Sequence, residues 1–155
     1  MQSSRYKPQR TIRAILYTNE ENGLAGAKAY KLFADVAKEK QIMAIESDSG
    51  GHSPQGFFYE AEAGVSPEYH QSLKEWKVLL EPYGYQFVPG SSGADVGTLR
   101  PLKTFLLGLM PDSQRYFDYH HSSNDTFDKV NRRELELGAA AAASIVFLAD
   151  KYGLN

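Results

Sequence analysis

The chain has 155 residues, 42% of them apolar, which suits one globular domain with a core of its own. Seventeen Lys and Arg against nineteen Asp and Glu leave a formal charge of −2, so the basic footprint that grips a nucleic-acid backbone is absent and nucleic acid is excluded as a partner. There is no cysteine, which excludes a disulfide framework, a cysteine nucleophile and a thiolate metal site, and leaves carboxylates and imidazoles as the strong metal ligands.

No apolar run approaches the ~20 residues needed to cross a bilayer, so no membrane span is expected. Met1 to Arg10 is too polar for a signal peptide. It reads as a polar leader, native or of cloning origin, ahead of a domain spanning 11–155.

Thr11 to Thr18 is rich in β-branched and aromatic residues and reads as a strand entering the polar loop Asn19-Glu20-Glu21-Asn22-Gly23. Leu24 to Lys38 reads as a helix with an apolar face near the 3.6 period. Gln41 to Ile45 reads as a second strand that ends at Glu46-Ser47-Asp48. Strand, helix and strand predict a βαβ unit with parallel strands. Such strands bring their carboxyl ends to one sheet edge, where α/β folds bind ligands.

Further along, Gly56 to Glu60 reads as a short strand, and Ser66-Pro67-Glu68 opens a helix running to about Leu80, with Ser at the cap. Tyr83 to Val88 reads as a strand, and Pro89 to Asp95 as a loop. Thr104 to Met110 is the most apolar strand candidate, and Tyr119-His120-His121 follows it. Asn131 and Glu134 form a capping box for a final helix that Gly153 ends. No repeat or linker divides the chain.

Taken singly, Glu20-Glu21, Asp48 and the His120-His121 pair each have an ordinary explanation: acids at a helix start, a polar strand end, a surface histidine pair. Adjacent side chains in an extended segment point apart, so one imidazole at most is expected to face the crevice. Together, Glu, Asp and His at one sheet edge form a zinc ligand set. A second Glu beside a ligand Glu supplies a base, and Asp125 is placed to orient an imidazole from behind. His52 and His70 read as a loop and a helix-surface histidine.

Thr18 to Gly26, Glu46-Ser47-Asp48-Ser49-Gly50, Ser92-Gly93-Ala94-Asp95 and Tyr119 to Thr126, in this order, resemble the co-catalytic zinc exopeptidases, the family of bacterial zinc aminopeptidases and carboxypeptidase Q. The Glu-Ser-Asp stretch leading to Pro54-Gln55-Gly56-Phe57 is most similar to the carboxypeptidase Q branch. The resemblance implies an α/β three-layer sandwich, its mostly parallel, mixed sheet flanked by helices. It implies peptide-bond hydrolysis at peptide termini or in dipeptides by a metal-activated water, with two zinc ions per complete site.

By the resemblance, Glu20 is the general base, Glu21 and His121 share one zinc, and Asp48 binds the other. Ser91, Ser92, Gly93 and Asp95 border the substrate pocket. The family's upstream histidine and bridging aspartate precede the segment that begins here at Thr11. The chain therefore resembles the carboxyl-terminal part of such a domain, with its amino-terminal strands missing. Little or no activity is expected of it alone, with partial or absent zinc. A homo-oligomer through the exposed sheet edge is expected. Full-length relatives are often secreted or periplasmic, and no signal peptide is expected within this chain.

The competing reading is a metal-free binding or scaffold domain that keeps the fold. Nucleotide binding through Gly90-Ser91-Ser92-Gly93 fails for want of a phosphate-loop lysine and the Rossmann glycine spacing.

Overall fold

A computed structural model describes residues 6–61 and 67–154. Four strands, β1 (Met43–Glu46), β2 (Pro54–Tyr59), β3 (Gln86–Pro89) and β4 (Phe105–Pro111), form one mixed sheet in the order β1-β4-β2-β3. β1 runs parallel to β4 and β2 parallel to β3, while β2 and β4 are antiparallel. The longer helices are α1 (Ala25–Ala37), α2 (Pro67–Leu80) and α5 (Arg132–Tyr152), and the one-turn helices are α3 (Ala94–Gly97) and α4 (Tyr116–Tyr119).

The alternation of side chains along β4 builds two cores. Phe105, Leu107 and Leu109 face α2 and α5, packing with Phe57, Leu73, Trp76, Leu80, Ala141, Ile145 and Leu148. Leu106 points the other way and packs with Val96 and Leu99 under α1 and α3. Helices thus cover both faces, and the expected three-layer α/β architecture is present. Burying a side chain such as Phe105 or Ile145 contributes about 1.5–3 kcal/mol, so β4 is the centre of the fold.

The expected first strand departs from the structure. Thr11–Thr18 has no regular secondary structure and joins no ladder among the described residues. It is held by side chains instead: the Arg13 guanidinium donates to Glu39 (2.8 and 3.1 Å) and to the Tyr30 hydroxyl (2.8 Å), and Tyr17 packs edge-on against Tyr30. The βαβ unit expected there is replaced by β2–α2–β3, whose strands are parallel across their helix.

Other expectations shift by a few residues. Asn131 caps α5 by accepting from the Glu134 N–H at 3.1 Å, but the reciprocal half of the capping box is absent. The Glu134 carboxylate is taken by Arg115 (2.8 Å) and Ser53 (3.0 Å), stronger partners than an exposed amide. Ser66, the expected cap of α2, lies outside the described residues.

Within the expected leader, Tyr6 to Arg10 is tied to the end of α5. The Tyr6 hydroxyl (2.6 Å) and the Gln9 and Arg10 N–H groups (both 2.8 Å) all donate to the buried Asp150 carboxylate.

Candidate active site

The loop carrying Glu20 and Glu21 is fixed by the start of α1. That helix has no side-chain cap, so its first donors turn to backbone carbonyls: Leu24 N–H to Glu20, Ala25 N–H to Asn19 and Gly26 N–H to Thr18. A Cβ at Gly26 would lie 2.7 Å from the Thr18 backbone, so only glycine allows this approach. Asn19 (φ 58°) and Leu24 (φ 60°) bracket the two glutamates in left-handed conformations, a strained backbone that proteins keep mostly at functional positions.

Because β1 and β4 are parallel, their carboxyl ends open on one edge. Asp48 follows β1, and the His121 segment follows β4 through α4. The convergence expected of the first two strands is thus delivered by a different parallel pair. His121 Nε2 lies 2.7 Å from Glu21 Oε1, closing 100 residues of sequence.

His121 also has a left-handed backbone, φ 51°, which removes the assumption that the two histidines point apart. Their rings stack instead, centroids 3.8 Å apart and planes 23° from parallel, with Tyr116 on the far side of His120 at 4.5 Å. His52 lies in a loop, as expected, and is buried there, stacked on Tyr119. His70 sits in α2.

The loop after β3 divides into two kinds of acid site. The Glu46 carboxylate, at the end of β1, accepts from the Ala94 (3.0 Å) and Val96 (2.8 Å) N–H groups. Gly93, φ 124°, makes room for it, since a Cβ there would fall 2.1 Å from the carboxyl carbon. Ser92 is buried and donates to Glu60 (2.5 Å), which also accepts from Arg100 (2.5 and 2.6 Å). Burial pushes the Glu60 carboxyl up, but Arg100 and Ser92 outweigh it and hold it below the ordinary glutamate value. Ser91 stays exposed.

The second kind is left without a cation. Asp95 is 6% exposed, and its Oδ1 has no hydrogen-bond partner among the described residues. Burial, then the Asp48 charge, raises its carboxyl. Burial raises Glu20 too, followed by repulsion from Glu21, Asp48 and Asp95, with His121 partly offsetting. These shared charges gather Glu20, Glu21, Asp48, Asp95 and His121 into one electrostatic neighbourhood. The Tyr116 hydroxyl, raised first by burial and then by Asp48, Glu21 and Asp125, borders it. Asp125 makes no side-chain hydrogen bond to either imidazole among the described residues. Tyr116 and the unmatched Asp95 oxygen were not legible in the sequence, since neither residue type at its position signals burial or stacking.

The donor chemistry suits zinc. Two donors to one zinc at about 2.0–2.2 Å sit roughly 3.4 Å apart at the tetrahedral angle, a small side-chain movement from the 2.7 Å contact of Glu21 with His121. The number of donors falls short of a complete site. Among the described residues no group of three or more His, Asp and Glu side chains is close enough to hold an ion.

Residues 1–146 match the model of peptidase family M28. The chain belongs to that family. It is 28% identical to carboxypeptidase Q of Rattus norvegicus over 143 residues, 92% of this chain and 29% of that protein. Human carboxypeptidase Q is 27% identical with the same coverage. A crystal structure of a peptidase M28 precursor from Shewanella amazonensis SB2B is 34% identical and superposes with a TM-score of 0.82 over 95% of this chain and 33% of its own. This M28 chain thus spans about a third of the length of its relatives. The expected resemblance to metallo-exopeptidases of the carboxypeptidase Q type holds over nearly all of it.

Proposed function

We propose that this chain supplies part of the active site of a zinc-dependent M28 exopeptidase acting on peptide termini or dipeptides. The observation that carries the reading is the 2.7 Å contact of His121 Nε2 with Glu21 Oε1 in a neighbourhood shared with Glu20 and Asp48. Glu21 and His121 would hold one zinc, and Asp48 would contribute to a second. Zinc, when bound, supplies Lewis-acid activation of the attacking water.

The chain's own part is proton handling and placement. Glu20 precedes the ligand Glu21 in the chain, and burial with the surrounding acids raises its carboxyl, the direction that favours a general base. Ser91, Ser92, Gly93 and Asp95 belong to the loop that borders the pocket, Ser91 offering its exposed hydroxyl and Ser92 holding the loop to Glu60. Asp125 adds negative charge behind Tyr116. Self-association through the exposed sheet edge is part of this reading, and the exposed Leu32, Phe33 and Val36 of α1 add apolar surface that favours association. No helix of the described residues is long and apolar enough to cross a membrane.

The second reading, a binding or scaffold domain that keeps the fold, is favoured by the lack of a group of three metal donors among the described residues. Zn²⁺ titration with a peptidase assay separates the two. The 155-residue chain is expected to take up Zn²⁺ weakly and to hydrolyse aminoacyl or dipeptide substrates hardly at all. His121→Ala should lower Zn²⁺ affinity by about tenfold or more, while Glu20→Gln should leave it within about twofold, because it removes a proton acceptor and keeps the ligands. Loss of Zn²⁺ in Glu20→Gln but not in His121→Ala would overturn these roles, and strong hydrolysis by the unmodified chain would show that another ligand set completes the site.

A further inference from the structure

His120 has no part in the ligand set above, yet it is the most closely stacked ring among the described residues. Its ring lies 3.8 Å from that of His121 and 4.5 Å from that of Tyr116, with interplanar angles of 23° and 22°, and Phe117 meets it edge-on at 6.0 Å. The His121 side chain is 62% exposed, and its ring and hydrogen-bond contacts among the described residues are this stack and the Glu21 carboxylate. An exposed imidazole on a left-handed backbone keeps its rotamer freedom unless something covers its face.

The stack also reaches the other side of the site. The Tyr116 ring lies 3.9 Å from where a Cβ of Gly50 would stand, in the loop that carries Asp48. Tyr116, His120 and His121 therefore form a column between the Asp48 loop and Glu21.

We propose that His120 is a positioning residue that holds the His121 ring in its Glu21-facing orientation by stacking, with Tyr116 as its backstop. The role rests on the ligand reading of His121 for its function but not for its existence. His120 needs an aromatic face for this task and no ring nitrogen. An aromatic contact of this kind is worth about three- to tenfold in an equilibrium constant.

Two readouts on the whole chain test it. In the metal-free protein, NMR signals of the His121 ring should carry a ring-current shift that His120→Ala abolishes and His120→Phe retains. In Zn²⁺ titrations by calorimetry, His120→Ala should bind about three- to tenfold more weakly with unchanged helix content, and His120→Phe should return to within about twofold of wild type. An unshifted His121 ring in the wild type, or wild-type affinity in His120→Ala, would overturn the proposal. Equal weakness of His120→Phe and His120→Ala would overturn it as well, since the imidazole nitrogen would then be what matters. If His121→Ala binds Zn²⁺ as the wild type does, the ligand reading fails, and the ring shifts alone then decide whether the stack exists.

Discussion

Two aspartates are buried almost equally, Asp150 at 3% and Asp95 at 6% exposure, and their surroundings are opposite. Asp150 is met by the Tyr6 hydroxyl and the Gln9 and Arg10 N–H groups, with the Arg10 guanidinium 3.8 Å away. Asp95 has an oxygen with no partner among the described residues, and the Asp48 charge adds to burial in raising its carboxyl. A buried carboxylate that serves the fold is supplied with donors, because leaving it unpaired costs free energy. One left unmatched among other acids marks a place where the fold tolerates a cost, and such places collect at functional sites.

Removing the supply to Asp150 should have the largest effect. Asp150→Asn keeps one acceptor and turns a donor toward the N–H of either Gln9 or Arg10, which reach different carboxylate oxygens, so the melting temperature should fall on the order of 10 °C at neutral pH. The Tyr6 hydrogen bond, then the Gln9 N–H, holds the Asp150 carboxyl below the ordinary aspartate value. A depressed folded pKa contributes stability that is complete above the unfolded value of about 3.9 and is lost as pH falls through the folded one. The gap between wild type and Asp150→Asn should therefore narrow in acid, and a gap that stayed constant from pH 7 to pH 2 would contradict the assignment.

A middle-sized effect is expected from Gly93→Ala, which disturbs the loop carrying Asp95 without altering any charge. The new Cβ would collide with the Glu46 carboxylate at a backbone angle, φ 124°, that an L side chain rarely adopts. A loss of about 2 kcal/mol is expected in denaturant unfolding. Loss below a few tenths would show that the loop has another conformation of similar energy.

How much of this the sequence carried depends on the distance over which each residue's partner lies. α1, α5 and β4 were legible because apolar period, the Asn131 cap and Gly153 are local signals. The Thr11–Thr18 strand was misread for the complementary reason. Its residues favour a strand, but a ladder needs a neighbouring backbone, and Arg13 and Tyr17 bind side chains of α1 and the turn after it instead. At the site, Glu20, Glu21, Asp48 and His121 were legible as residue types at loop positions, and the Glu21–His121 contact brings the most distant pair together. The His120–His121 stack was not, because it depends on φ 51° at a non-glycine residue, which no sequence pattern announces.

The smallest expected effect is also the most discriminating, because it asks whether Asp95 belongs with Asp150 or apart from it. Asp95→Asn removes a charge that burial and Asp48 both oppose, and the amide can donate toward the neighbouring carboxylates where the unmatched oxygen could not. The melting temperature should therefore hold or rise by up to about 3 °C, opposite in sign to Asp150→Asn. Losing a negative neighbour should also let the Glu20 carboxyl titrate nearer the ordinary glutamate value, since Asp95 is one of the charges that raise it. A carboxyl-resolved NMR titration of both proteins reads this shift. A drop in melting temperature as large as that of Asp150→Asn would mean that Asp95 serves the fold through a partner of its own, and the contrast between the two aspartates would then be one of geometry and not of purpose.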